Sequence, residues 1–522
     1  MMETTLIAPS QITRAGKPMA DTVATVVARA SASHRRGDLN AAERDYRSVL
    51  SASPHHAEAL TGLGAVLLEH GDLTGAAEIF RAALVQSPSR ARAHYNLGVA
   101  LNALGELEEA GSCFNKALMF DPKLFQAMTN LGSIRHAQGR MEQAVDHYKQ
   151  ALRLKPDDIE TLNNLALVHR DSGDFVSAST IFERAVGLSG CPPEVHRNRG
   201  LLHLLHGDYE RGWASYERRW QCRDMSPLIR PFPSPRWTGE IPARRESVLV
   251  WGEQGLGDEI LFASMIPDAT RSGAAVILET DPRLRNLFAH SFPDADVVAR
   301  ATPPLDPLSQ QPIGWQLPSG SLGPLFRRSL SDFPVRDRYL IPDAKRVSEL
   351  RSRIATGPGP VVGLAWMSRH PTMGHNKSSP LAAWAGLLSS AKDAVVDLQY
   401  GDTSIERESV AKEYGAAPRH FDDIDLTNDI DTVAALITAC DRVVTVSNTV
   451  AHLAGALGVP TTVVVPAAAG KLWYWGHVGE KTPWYPTVRL VRGVQGKPLE
   501  AVIGDLAMEL ARTTSPSRKF AT

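Results

Sequence analysis

A glycine returns every 34 residues through the first part of the chain, and this period constrains the fold more than any other feature. A proline series and an aromatic series keep the same step. Repeats of this length are typical of stacked helical units. The glycines are Gly37, Gly71, Gly105, Gly139, Gly173 and Gly207; the prolines are Pro54, Pro88, Pro122 and Pro156; the aromatic positions are Tyr46, Phe80, Phe114, Tyr148, Phe182 and Tyr216.

Each unit is predicted to hold two short amphipathic helices, with the glycine ending the first helix and the proline separating the units. A small residue stands where the helices cross, as at Ala76 and Ala110. One unit cannot bury its apolar face alone, so about six units are expected to stack between residues 20 and 222, leaving a concave groove. The pattern resembles the tetratricopeptide repeat.

A second series is not required by packing. Asn96, Asn130, Asn164 and Asn198 also repeat at 34 residues, on the first helix of four of the units, while two repeats have other residues there. A carboxamide both donates and accepts, so a row of them can hold an extended peptide backbone independently of its sequence. The alternative is that these side chains only solvate or cap their helices. A similar ladder is a feature of the O-linked N-acetylglucosamine transferases, which implies an acceptor protein in the groove.

After the repeats, the helical period stops in a proline-rich connector, residues 223–245. Short β-branched runs then alternate with helical stretches, which predicts parallel sheets with crossover helices. The expected fold is therefore an α-solenoid followed by two Rossmann-like halves, residues 246–356 and 357–512, that face one cleft. Residues 1–19 and 513–522 are expected to be tails.

Composition excludes several classes of protein. The formal net charge of −1 gives no general attraction for nucleic acid or an anionic membrane. The four cysteines are far apart, which argues against a disulfide framework and favours a reducing compartment. We find no secretory signal and no apolar stretch of membrane-spanning length, and we therefore expect a cytoplasmic protein.

The stretch “WGEQGLGDEILFA”, which starts at Trp251, predicts a strand, a tight turn and a helix. Gly255 and Gly257 allow close backbone approach, and the helix amides that follow favour an anion. A dinucleotide fingerprint would require a third small residue where Ile260 stands, so hydride transfer is the weaker hypothesis. Asp258 then has two interpretations, a catalytic acid in the cleft or a carboxylate that caps the helix.

The stretch “EQGLGDEILF” resembles bacterial proteins that join tetratricopeptide repeats to a heptosyltransferase-like glycosyltransferase of GT-B fold. The resemblance implies that Asp258 is the general base, which takes the proton from an acceptor hydroxyl as its oxygen attacks the anomeric carbon. It also implies a metal-independent enzyme with no cofactor besides its nucleotide-sugar substrate. The D-x-D triplets that occur later in the chain do not end obvious strands, and we expect no metal.

The second half supplies the expected donor site. Ser447, Asn448 and Thr449 stand where a helix begins, and this position suits the phosphates of a nucleotide sugar. The following “AHLAGALG” matches the family, and His452 is expected to donate to the same phosphate, although a structural role is equally open. By the same resemblance, Lys377 stabilises the leaving phosphate, and Gln399 lines the base pocket. An ordinary exposed lysine remains the alternative for Lys377, and Ser447-Asn448 departs from the acid-bearing family string.

Together these features predict a protein O-glycosyltransferase whose repeats bind the acceptor. The flagellin glycosyltransferases are among the bacterial proteins that this chain resembles. This resemblance implies flagellin as the acceptor and a nonulosonic acid, such as pseudaminic acid carried by CMP, as the sugar. Two other functions remain open: a repeat adaptor whose transferase half is inactive, and a heptosyltransferase that acts on a glycolipid. The repeat array and the neutral charge disfavour the glycolipid.

Overall fold

A computed structural model describes most of the chain and divides it after Leu165 into two compact units. The predicted tails, residues 1–19 and 513–522, lie outside the described residues. Among the helices of the described part, none is long and apolar enough to cross a membrane. The described residues are 22–230, 232–242, 246–301, 313–355, 357, 359–370, 373–389, 394–467 and 470–512.

Six helix pairs follow each other at the predicted period. Each of the six glycines of the 34-residue series has a φ between +73° and +85°, a left-handed conformation that glycine adopts at little cost. The tetratricopeptide pattern is therefore confirmed in the described part of the chain. The helices are α1 (Val23–Arg35), α2 (Leu39–Ala52), α3 (Ala57–His70), α4 (Leu73–Gln86), α5 (Ala91–Ala103), α6 (Leu107–Phe120), α7 (Phe125–Ala137), α8 (Met141–Leu154), α9 (Ile159–Asp171), α10 (Phe175–Val186), α11 (Pro193–Leu205) and α12 (Tyr209–Tyr216).

The aromatic series fills the space between the two helices of each pair. Phe80 and Phe114 are fully buried. A methyl group placed on Gly98 would lie 2.7 Å from a ring carbon of Phe114, so the small residue lets the ring approach the facing helix. The 34-residue spacing of small and aromatic residues is thus explained by packing within each unit.

The second unit holds two parallel sheets. The first has the strand order β3-β2-β1-β4, and the second has the order β6-β5-β7-β8-β9. The strands are β1 (Ser247–Trp251), β2 (Ala275–Thr280), β3 (Ala295–Ala299), β4 (Ile313–Pro318), β5 (Val361–Ala365), β6 (Ala394–Asp397), β7 (Arg442–Val446), β8 (Thr461–Val465) and β9 (Val488–Arg492). The prediction of two parallel sheets, which is part of the expected fold class, is confirmed.

Helices connect and cover these strands. In the first half they are Leu256–Ala263, Ile266–Arg271, Arg285–Ser291 and Gly323–Phe326; in the second they are Ala344–Ile354, which precedes β5 and packs against Ile430–Ala439, and Gly374–Lys377, Ala385–Leu388, Ser404–Tyr414, Ile430–Ala439, Thr449–Ala456 and Leu499–Arg512. In each sheet the strand order reverses at one point, beside β1 and β4 in the first sheet and beside β5 and β7 in the second. Ligands of doubly wound proteins bind at such points, outside the carboxyl ends of the strands.

Two residues of the connector, Arg236 and Trp237, contact the first sheet. Trp237 is 2% exposed, and its backbone N–H donates to the Gln316 carbonyl at 3.0 Å. Arg236 forms an isolated parallel bridge with Gln316 in β4. This part of the connector therefore lies along β4, the outer strand of the first sheet.

Candidate active site

A cavity of about 650 Å³ opens in the second unit, where the carboxyl ends of both sheets meet. The loops after β1, β5, β6, β7 and β8 all contribute, and α11 supplies Asn198, Leu201 and Leu205. Both points of strand reversal thus open on one volume, as is typical of this architecture. From the predicted set, the lining includes Gly255, Gly257, Asp258, Lys377, Ser447, Asn448, Thr449, His452 and Asn198.

Asp258 lies in the first turn of the Leu256–Ala263 helix and faces this cavity. Its carboxylate accepts from the Gly255 N–H at 3.5 Å, so it also contributes weakly to capping. Burial raises the pKa of Asp258 to about 6, with further raising by Glu253 and Glu259 and opposition from the Gly255 N–H and Lys377. A carboxyl group with a pKa near 6 is suited to act as a general base at neutral pH.

Lys377 ends the short Gly374–Lys377 helix and is 4% exposed. Burial lowers the pKa of its ammonium, and the charge of Asp258 raises it again. The side chain packs on Gly470, where a methyl group would lie 3.1 Å from Lys377 Cγ. A buried cation in the cavity is available to an anionic ligand, and the alternative of an ordinary exposed lysine does not agree with this burial.

The turn after β7 is held mainly by contacts inside the protein. The Asn448 carboxamide oxygen accepts from the Ala451 N–H at 3.2 Å, and its nitrogen donates to the Met367 carbonyl at 3.1 Å. The Ser447 hydroxyl accepts from Trp475 Nε1 at 2.8 Å. Asn448 therefore caps the Thr449–Ala456 helix and ties it to the loop after β5, which differs from a purely ligand-binding role.

His452 is buried in an aromatic setting and stacks on Trp475. Burial lowers the pKa of His452 to about 3, so the ring is neutral at physiological pH. Its Cδ2–Nε2 edge packs against Gly257, where a methyl group would lie 3.0 Å from Cδ2. The histidine thus joins the two halves of the cavity by direct packing against the Asp258 turn.

One hydrogen bond inside the protein holds the ring of His452. Its Nδ1 lies 2.8 Å from the Tyr485 hydroxyl, and which of the two groups donates depends on the tautomer of the ring. The donation from His452 to a phosphate therefore stays a prediction.

Gln399 is placed differently from the expectation. It is fully buried, and its side-chain oxygen accepts from the Trp366 N–H at 3.0 Å and the Met367 N–H at 2.8 Å. Its carboxamide therefore positions the end of β5 instead of lining a base pocket. The neighbouring Tyr400 lines the cavity, and its hydroxyl accepts from the Arg369 N–H at 3.2 Å.

The asparagine ladder is divided between the two units. Asn96, Asn130 and Asn164 are half-buried on the first helices of their repeats in the first unit, and Asn130 donates to the Tyr95 hydroxyl at 3.5 Å. Asn198 belongs to the second unit and lines the cavity that holds Asp258. A ladder position therefore reaches the candidate site, while the peptide-binding role of the series stays a prediction.

The sequence interpretation missed a buried ion pair next to Asp258. Arg219 follows α12, and its guanidinium binds Glu253 through Nε at 3.0 Å and Nη2 at 2.8 Å. Glu253 stands in the loop after β1, and both side chains are almost fully buried. The charged residues of “YERRWQ” and “WGEQ” were the available signal, but no local pattern relates residues so far apart in the chain.

Repeats of 34 residues joined to two parallel sheets define a tetratricopeptide-repeat protein with an α/β region. The family described as “Cilia and flagella-associated protein 70 C-terminal domain” matches residues 3–205. “Protein FlbA” of Caulobacter vibrioides is 32% identical over 316 residues, covering 57% of this chain and 52% of that protein. The chain therefore spans about half the length of this curated relative.

The similar solved structures cover smaller parts of the chain. MamA is 25% identical with a TM-score of 0.29, over 30% of this chain and 92% of that one. The Pseudomonas aeruginosa protein pilF is 20% identical with a TM-score of 0.35, over 40% of this chain and 93% of that one.

Proposed function

We propose that this chain is a protein O-glycosyltransferase of the GT-B type, which transfers a sugar from a nucleotide-sugar donor to a Ser or Thr hydroxyl of a protein bound by the repeats. The observation that carries the proposal is the pairing of Asp258 and Lys377 in one cavity at the carboxyl ends of two parallel sheets. A base and a buried cation are the two groups that this transfer requires.

In the proposed reaction, the acceptor oxygen forms a bond to the anomeric carbon while the bond from that carbon to the donor phosphate breaks. Asp258 takes the hydroxyl proton, and the electron pair of the broken bond leaves on the phosphate. Lys377 and the start of the Thr449–Ala456 helix stabilise the charge that develops there. The neutral ring of His452, which lines the same cavity, donates to this phosphate.

The repeats supply the acceptor side of the proposal. Tetratricopeptide arrays are binding surfaces for proteins, and Asn198 and Leu201 bring α11 to the wall of the cavity. We extend the proposal to flagellin as the acceptor and to a CMP-linked nonulosonic acid as the donor, because the resemblance of the Asp258 loop implies them.

The proposal is tested by nucleotide release from a panel of UDP-, GDP- and CMP-linked sugars, with the wild-type chain and Asp258→Asn. We expect one donor to be turned over, with a rate that falls tenfold per pH unit below about pH 6, where Asp258 becomes protonated. Asp258→Asn should lower this rate by about 100-fold or more, while donor affinity in a calorimetric titration is retained.

A repeat adaptor with an inactive transferase half predicts a different outcome. No donor of the panel would then bind or release nucleotide at any pH. Lys377→Ala provides a second check, because loss of the buried cation should weaken donor binding while leaving Asp258 in place. Equal donor affinity in Lys377→Ala and the wild type would contradict the assigned role of Lys377.

A further inference from the structure

The loop that carries Asp258 is held by residues from the end of the last repeat. Arg219 lies in the 3₁₀ turn Glu217–Gln221 that follows α12, and it is 1% exposed. Besides its two bonds to Glu253, its guanidinium donates to the Ser321 hydroxyl at 3.0 Å and to Glu217 at 2.7 Å. This buried charge thus joins the end of the repeats to the loops after β1 and β4.

Glu253 accepts the two hydrogen bonds from Arg219. Its carboxylate also accepts from the Gly320 N–H at 2.7 Å, and a methyl group on Gly320 would lie 2.5 Å from Glu253 Oε1. The glycine therefore allows a close approach that no other residue permits. Glu253 ties together the two loops at the point of strand reversal, immediately before the turn that leads to Asp258.

Gln254 shows that the turn is held in an uncommon conformation. Among the described non-glycine residues, Gln254 alone has a positive φ, which is +63°. Its side-chain nitrogen donates to the Tyr216 hydroxyl at 2.8 Å and to Glu253 at 3.1 Å. A left-handed backbone at a residue with a side chain persists only where the surroundings impose it, and here Tyr216 and Glu253 impose it.

The ion pair between Arg219 and Glu253 also sets the charge near Asp258. Glu253 is one of the acids that raise the pKa of Asp258, and Arg219 is the cation that binds Glu253 directly. Loss of the Arg219 charge would leave Glu253 without its cation beside a second carboxylate. Protonation of Asp258 would then become more favourable, because like charges oppose ionisation.

We propose that Arg219 and Tyr216 are positioning residues, through which the end of the repeat array fixes the geometry and the charge of the Asp258 loop. The repeats are then a structural part of the transferase site as well as a surface for the acceptor. The catalytic part of this inference rests on the proposed role of Asp258 as the base.

The experiment compares Arg219→Gln with Arg327→Gln in the full chain. Arg327 is a matched control, since it is 2% exposed and binds Asp268 at 2.7 Å, but it forms no hydrogen bond or ion pair with Glu253 or Gln254. Amide hydrogen exchange of residues 252–258 should accelerate in Arg219→Gln and stay at the wild-type rate in Arg327→Gln. Equal exchange of this segment in both variants would overturn the inference, whatever the activity of the protein.

Nucleotide release supplies the catalytic readout. Arg219→Gln should lower kcat by about 100-fold with little change in KM, since misplacement of a reacting group by about 1 Å has effects of that size. The acid limb of its pH profile should move upward from about pH 6, and Arg219→Lys should restore the limb. An unchanged limb with wild-type kcat would contradict the inference, while a wild-type chain that turns over no donor contradicts only the proposed function.

Tyr216→Phe keeps the test decisive if Arg219→Gln does not fold. This variant removes only the hydroxyl that accepts from Gln254 and keeps the ring that packs against Trp213 and Arg219. Exchange in residues 252–258 should accelerate and kcat should fall several-fold at an unchanged KM. Wild-type exchange and wild-type kcat in Tyr216→Phe would show that the turn does not depend on the repeat.

Discussion

Asp258 stands among charges that act on its pKa in opposite directions. Burial, Glu253 and Glu259 raise it, while the Gly255 N–H and Lys377 lower it. The identity of the residue and its place in a turn followed from the sequence, because the glycines and the helix start are local signals. Its pKa did not, because it depends on residues that are brought together only by the fold. The chemistry of a site of this kind therefore depends on tertiary contacts.

Gln399 illustrates the same limit. The sequence predicts that Gln399 lines the base pocket, but which of two adjacent residues reaches the cavity depends on how the β5 loop folds over them. Tyr400 lines the cavity and Gln399 does not. Resemblance identifies a segment more securely than it identifies which side chain of that segment faces the ligand.

His452 carries a prediction about stability at the scale of one residue. Burial lowers its pKa from the usual 6.5 to about 3. Between these values the unfolded chain binds a proton that the folded chain does not, so the contribution to stability is present above pH 6.5 and is lost as the pH falls. The slope is about 1.4 kcal/mol per pH unit.

The measurement is the free energy of unfolding in urea at pH 7 and pH 5 for the wild type and His452→Gln. Glutamine does not titrate and keeps an amide near Tyr485. We expect the wild type to lose up to about 2 kcal/mol more than the variant across this interval. Parallel losses in the two proteins would mean that His452 is not held neutral.

At the scale of the element, the repeat helices were predictable because each repeat has the same two local requirements. A residue in the left-handed conformation ends the first helix of a pair, and a small residue lies opposite the aromatic ring of the second helix. Both demands recur at the same spacing, so the sequence displays them six times. The strands have weaker sequence patterns than the repeat helices. β3 is half exposed, and β4 contains Gly314 and ends at Pro318, so neither has the apolar run of a buried strand.

Gly105 and Gly111 provide a matched pair of substitutions in one repeat. Gly105 has a φ of +85° with nothing near its missing side chain, so Gly105→Ala should cost about 1–2 kcal/mol through backbone strain alone. Gly111 lies inside α6, where a methyl group would meet Ile134 at 3.9 Å, and Gly111→Ala should stabilise by up to about 1 kcal/mol.

Urea denaturation of both variants against the wild type checks the sign of each change. Opposite shifts of the midpoint are expected. A destabilised Gly111→Ala, or a Gly105→Ala with wild-type stability, would contradict the backbone explanation of the glycine period.

At the scale of the whole molecule, the last repeat helices belong to the same compact unit as the two sheets. Trp213 of α12 donates to the Arg327 carbonyl at 2.7 Å, and Arg219 and Tyr216 hold the Asp258 loop. The helical period of the sequence ends near residue 222, and this predicts a domain boundary there. Periodicity marks where a motif ends, but it does not show which residues share a core.

Glycopeptide mass spectrometry of native cells tests the central claim most directly, since it detects the product whichever donor and acceptor the protein uses. Cells that carry the wild-type chain should contain a protein with a Ser- or Thr-linked sugar that is absent from cells carrying Asp258→Asn, although both chains accumulate to the same level. The same set of glycopeptides in both strains would contradict the assignment of this chain as a glycosyltransferase with Asp258 as its base.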